Sequence, residues 1–214
     1  MPSLSRLLSR LAERRILSAA VIEKPEHAVP LARALLAGGL DIMEVTFRNA
    51  HAAECIRRIV AEVPDMMVGA GTLLNAVQID DARAAGASFG LTPGFNPPVV
   101  QAAVDRGFPF IPGVLTPGEI EQSLALGCPI VKFFPAASAG GPGFIKAVAA
   151  PYAHTPLRIV PLGGISDSNL GDYLRLPIVV AVGGSWLTSR DLAGAQRWAD
   201  ITQLTKRTML AAAG

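Results

Sequence analysis

Cysteine, histidine, lysine and aromatic residues are all scarce in this chain, and each shortage removes a class of explanation. Cys55 and Cys128 are the only two cysteines in 214 residues, which rules out a disulfide scaffold and points to a reducing, cytoplasmic setting. The histidines, His27, His51 and His154, are scattered. His51 and Cys55 form only an i, i+4 pair, so no metal site is expected. Aromatics make up 6% of the chain, and 19 basic residues face 17 acidic ones without a basic block, so nucleic acid is not an expected partner. No apolar run reaches the roughly 18 residues of a membrane span. A Ser-His-Asp set and a P-loop are missing, and residues 69–75 lack the third glycine of a dinucleotide fingerprint. No cofactor is expected.

What remains is abundant apolar material, half of all residues, enough for a sizeable core. Residues 3–15 are rich in Arg and Ser with one acid, Glu13, and superficially resemble a transit peptide. Leu4, Leu7, Leu8 and Leu11 nevertheless recur at helical spacing, which predicts a helix over 1–14 packed on the body of the protein. After it the chain repeats one unit, an apolar strand, a loop and an amphipathic helix. Strands are expected at 16–22, 40–46, 66–70, 88–92, 108–111, 130–134, 157–162 and 178–182. Helix signals fall between them: Gly38-Gly39 as a stop, Asn75 as an N-cap before a helix ended by Gly86, and Thr116-Pro117 opening another that Gly127 closes. A last helix is expected over 193–213. Eight alternating units without a linker predict an α/β chain folded as a single (β/α)8 TIM barrel, one domain over 1–214, with the extra N-terminal helix.

Lysine is the most informative shortage. Only Lys24, Lys132, Lys146 and Lys206 occur, and Lys132 alone lies in a strand, within Ile130-Val131-Lys132-Phe133-Phe134-Pro135. A desolvated lysine can become an amine nucleophile, which arginine cannot; a stem on apolar surface with its head in water is the alternative. A second charged residue interrupts strand two: Glu44, with Ile42 and Thr46 on its own face. A lone buried carboxylate is costly and needs a partner or a task. Strands two and six lie opposite in an eight-strand barrel, so Glu44 and Lys132 can meet across the axis near the strand ends where barrel active sites assemble. A structural ion pair is the competing reading. Arg48 follows strand two, either gripping a carboxylate or simply solvated.

Glycine gathers at the strand ends: Gly69-Ala70-Gly71-Thr72, Pro93-Gly94, Pro112-Gly113, Gly163-Gly164 and Gly183-Gly184-Ser185. The last two follow strands seven and eight, where barrels often bind phosphate through backbone N–H groups. Gly163, Gly164, Gly183, Gly184 and Ser185 are therefore candidate phosphate-binding residues.

Taken in order, Glu44-Val45-Thr46-Phe47-Arg48, Gly69-Ala70-Gly71-Thr72, Pro93-Gly94, Val131-Lys132-Phe133-Phe134-Pro135-Ala136, Gly163-Gly164-Ile165 and Val182-Gly183-Gly184-Ser185-Trp186 resemble the 2-keto-3-deoxy-6-phosphogluconate (KDPG) and 4-hydroxy-2-oxoglutarate aldolases from about residue 16 to 186. The resemblance implies a Schiff-base aldolase that splits a phosphorylated 2-keto-3-deoxy sugar acid into pyruvate and glyceraldehyde 3-phosphate without a cofactor. It implies Lys132 as the carbinolamine-forming amine, Glu44 as general acid/base, Arg48 and Thr72 as carboxylate ligands, and Pro93 and Phe134 as lining. It also implies a homotrimer. One position departs: Leu162 stands where the family often has a threonine contacting substrate hydroxyls, so the preferred epimer, gluconate or galactonate, stays open, as does a packing role for Leu162. An isomerase or epimerase on the same barrel, or a silent barrel that binds a phosphorylated acid, would not need the nucleophilic lysine.

Overall fold

The computed structural model describes residues 3–213; the first two positions of the expected 1–14 helix and the last of the expected domain lie outside it. Helix α1 (Leu4–Arg14) starts where the Ser3 side chain accepts from the Arg6 amide, and it buries Leu7 and Leu11. Burying each leucine is worth roughly 1.5–3 kcal/mol. Polar residues fasten the same helix: the Arg14 guanidinium grips Asp41 through two hydrogen bonds of 2.8 and 2.9 Å, and Arg10 donates to the same carboxylate.

Among the described residues nine strands follow: β1 (Ile16–Ala20), β2 (Ile42–Thr46), β3 (Met67–Gly71), β4 (Phe89–Leu91), β5 (Phe110–Ile111), β6 (Gly113–Val114), β7 (Ile130–Phe133), β8 (Arg158–Pro161) and β9 (Val182–Gly184). The helices between them are α2 (Ala28–Ala37), α3 (Ala52–Glu62), α4 (Ala76–Ala84), α5 (Pro97–Asp105), α6 (Pro117–Ala125), α7 (Gly141–Ala149), α8 (Leu170–Leu174), α9 (Arg190–Ala193) and α10 (Trp198–Ala213). This is an α/β fold with parallel strands in two arcs. One runs β5-β4-β3-β2-β1-β9 and the other β6-β7-β8. Strands buried on both faces need helical cover, which explains their continuous apolar character.

Two helix starts follow the sequence closely. Asn75 accepts from the Gln78 amide, and Thr116 with Glu119 completes a capping box. Three expectations needed correction. The fifth strand is two short pieces, because Pro112 has no N–H to extend the ladder; β5 pairs with β4 while β6 pairs with β7. The eighth strand is Val182–Gly184 rather than 178–182. Of that apolar run, Val179 forms only an isolated bridge to Ile159, and the ladder to β1 begins at Ile16 opposite Val182. Hydrophobicity marked the buried approach, whereas the paired glycines carry no strand signal of their own. The last helix is broken, with α9 ending before Gly194 and α10 starting after Gln196, whose φ of 56° no helix accommodates.

Two joints lie between the arcs. At one, the Gly113 amide donates to the Thr92 hydroxyl at 2.9 Å, and the Lys132 amide to the Pro112 carbonyl at 2.8 Å. At the other, Leu162 bridges to Gly183. Among the described residues no helix is long and apolar enough to cross a membrane.

Candidate active site

Lys132 occupies the third position of β7 and Glu44 the third of β2, on different arcs. Both are buried, at 6% and 1% exposure, yet Lys132 Nζ lies 3.8 Å from Glu44 Oε1. That spacing is close enough for strong attraction in a dry interior but longer than a hydrogen bond. The other carboxylate oxygen, Oε2, is buried with no hydrogen-bond partner among the described residues. A buried acceptor without a donor is costly. The aromatic face of Phe134 lies 5.3 Å from Nζ, a further favourable contact for the ammonium form.

Small neighbours make room for this pair. In the ladders Glu44 stands between Ala19 of β1 and Gly69 of β3. Gly71 matters more directly: a β-carbon there would stand 2.5 Å from Glu44 Oε2 and 2.9 Å from its Cδ. The carboxylate therefore sits in space that any side chain at 71 would claim. Thr72, next in line, holds φ at 59°. A β-branched residue in that region carries strain of order 1–3 kcal/mol, the kind of cost found where a side chain must be aimed.

The pair opens into a cleft of about 530 Å³. Arg48, Thr72, Pro93, Phe134, Leu162, Gly163, Gly164, Gly184 and Ser185 all line it, so nearly all of the expected site residues converge there. Arg48 is exposed at the rim, while Leu162 is 3% exposed on the wall. Gly163 and Gly164 adopt φ of 95° and 75°, and a β-carbon at 164 would stand 2.5 Å from that of Ala137; only glycine lets this loop turn so close to its neighbour. Gly183 is placed differently from the expectation. It stands behind the cleft wall, and the space where its β-carbon would lie is filled by Leu162, at 2.6 Å from Cγ.

Ala19, Val21, Thr46, Ile165, Trp186 and Ser189 also line the cleft and were not anticipated. Thr46 shares a strand face with Glu44, which was a usable signal; its hydroxyl donates to the Ala20 carbonyl at 3.2 Å. Trp186 carried one too, as a large aromatic two residues beyond a glycine pair. The remaining four have no chemical signature in the sequence.

Other chemistries find less footing. Cys55 is fully buried while His51 is exposed, so the i, i+4 pair does not face one space. Burial pushes the Cys55 and Cys128 thiols up to about 11, which leaves neither as a thiolate nucleophile near neutral pH. Among the described residues no three of His, Cys, Asp and Glu gather closely enough to hold a metal.

Comparison with known proteins places the whole chain. The sequence model of KDPG and KHG aldolase matches residues 7–204. A 2-dehydro-3-deoxy-phosphogluconate aldolase of Treponema pallidum is 44% identical over 95% of this chain and 96% of that protein. Among solved structures, the 2-keto-3-deoxy-6-phosphogluconate aldolase of Zymomonas mobilis with 3-phosphoglycerate superposes with a TM-score of 0.89 at 37% identity, covering 96% of each chain. The KDPG aldolase of Legionella pneumophila, solved with pyruvate captured as a covalent carbinolamine, gives 0.89 at 36% identity, covering 94% of this chain and 97% of that one.

Proposed function

This chain belongs to the KDPG and KHG aldolase family, and from that premise we propose that it is a class I aldolase whose amine is Lys132 and whose proton carrier is Glu44. It cleaves 2-keto-3-deoxy-6-phosphogluconate to pyruvate and glyceraldehyde 3-phosphate. One observation carries the residue assignment: a buried lysine and a buried carboxylate lie 3.8 Å apart at the floor of an open cleft, with one carboxylate oxygen unpartnered.

The chemistry follows from that placement. The neutral amine of Lys132 adds to the C2 ketone to form a carbinolamine, and loss of water gives an iminium. Removal of the C4 hydroxyl proton lets the C3–C4 bond break. Its electron pair moves into the iminium to leave an enamine, and the aldehyde departs. Protonation of the enamine carbon and hydrolysis then release pyruvate and the free amine. Glu44 is the carboxylate within reach of each proton transfer, and such help is worth about 10²- to 10⁴-fold in rate. Arg48 and Thr72 hold the substrate carboxylate, Pro93 and Phe134 wall the reacting carbon, and Gly163, Gly164, Gly184 and Ser185 take the phosphate.

The fold reading extends likewise. We take the two arcs as one closed (β/α)8 TIM barrel forming a single domain, with β5 and β6 counted as one strand and the ring completed through Leu162 and Gly183. We take the assembly to be a homotrimer in the cytoplasm; sedimentation equilibrium tests the first of these, a monomer being the opposing result.

Borohydride reduction in the presence of pyruvate tests the catalytic reading. A covalent mass increase is expected on the peptide containing Lys132. Protein left unmodified under conditions that trap a control aldolase would overturn it.

A further inference from the structure

We propose that Asp167 is a positioning residue for the phosphate rim, tying the rim's aromatic wall to the C-terminal helix through one carboxylate oxygen. The proposal rests on the phosphate site described above and names a residue outside the cleft lining. The Trp186 indole N–H donates to Asp167 Oδ1 at 3.0 Å, and the Thr208 hydroxyl of α10 donates to the same oxygen. Three segments far apart in sequence therefore meet at one atom: the loop after β8, the loop after β9 and the last helix.

What this knot holds still is the rim itself. The Trp186 ring lies against Gly184, where a β-carbon would stand 2.5 Å from Cζ3. The loop carrying Asp167 is closed by Asn169, whose side chain accepts from the Ser166 amide and donates to the Gly164 carbonyl, both at 2.9 Å. Asp167 thus joins the Gly163-Gly164 side of the rim to the Gly184-Ser185 side, and Thr208, fully buried, anchors both to the body of the protein. Backbone N–H groups bind phosphate well only when their directions are fixed before the ligand arrives, because ordering them on binding consumes affinity.

The charge on Asp167 makes the role separable from simple electrostatics. A carboxylate near an anion subsite opposes the ligand's charge, so its presence is accounted for by its geometry as a double acceptor. The carbonyl oxygen of an asparagine can accept the same two hydrogen bonds without the charge.

Condensation of pyruvate with glyceraldehyde 3-phosphate, measured beside condensation with unphosphorylated glyceraldehyde, isolates the phosphate contact. Asp167→Ala is expected to raise KM for the phosphorylated aldehyde about tenfold and to change kcat/KM for the unphosphorylated one less than about twofold. Asp167→Asn is expected to restore the phosphorylated substrate, and Thr208→Val to shift KM in the same direction as Asp167→Ala by a smaller factor. An unchanged ratio between the two aldehydes in Asp167→Ala would overturn the proposal. So would an equal loss on both, or an Asn variant as impaired as the Ala variant. Pyruvate trapping on Lys132 of the unaltered protein reports on the aldolase assignment separately.

Discussion

Gly71 and the carboxylate of Glu44 fill one volume: a β-carbon on the glycine would stand 2.5 Å from Oε2. The Glu44 carboxylate, the proposed proton carrier, therefore occupies room that only a residue without a side chain at 71 leaves open. Gly71→Ala is expected to push the carboxylate off its line to Lys132 and to lower kcat for cleavage by about 10- to 100-fold, within the range assigned to general acid/base help. Lys132 is still expected to be trapped by pyruvate and borohydride. Wild-type turnover in Gly71→Ala would show that the carboxylate position is not critical.

Lys132 and Glu44 are also expected to depend on one another for stability. Both are almost fully buried, and removing one member of a buried pair costs about 3–5 kcal/mol because the other charge is left uncompensated. Lys132→Met should lower the urea unfolding free energy by about that amount, and adding Glu44→Gln should recover part of it. Equal stability of Lys132→Met and wild type would mean that the pair contributes nothing to the fold.

Leu162 faces the cleft with no polar atom and fills the space in front of Gly183. Leu162→Thr supplies a hydroxyl able to bond a substrate hydroxyl, so kcat/KM for the gluconate epimer relative to the galactonate epimer should rise about tenfold. An unchanged ratio would assign Leu162 to packing alone.

The thiols give a pH-dependent prediction. Burial holds Cys55 and Cys128 up near 11, above the roughly 8.5 of a free thiol. A folded pKa raised above the unfolded one means that the protonated thiols' contribution is intact below about 8.5. It is lost as pH rises toward about 11. Iodoacetamide at pH 8 should leave both thiols unmodified in the native protein and label both in denaturant; native-state labelling would contradict their burial.

Lys132 and Glu44 were legible because each interrupts an apolar run, and alternation along a strand states which neighbours share its face. Their approach followed from counting strands. Gly71 was visible only as one glycine in a strand-end cluster, since nothing local says whose space it vacates. The meeting of Asp167, Trp186 and Thr208 was out of reach for a related reason: it joins segments 19 and 41 residues apart, and no periodicity records such a contact. The break at Pro112 was readable in principle, a residue without an N–H placed just past an expected strand.

That break has a mechanical meaning. Glu44 belongs to the six-stranded arc and Lys132 to the three-stranded one, so no continuous run of ladder hydrogen bonds sets the distance between them. It is set at the seams, where Thr92 catches the Gly113 amide on one side and Leu162 meets Gly183 on the other. The gap between Lys132 and Glu44 is thus spanned by two seams rather than by one sheet. A change at Thr92, outside the cleft lining, is therefore expected to alter the Lys132–Glu44 spacing from a distance.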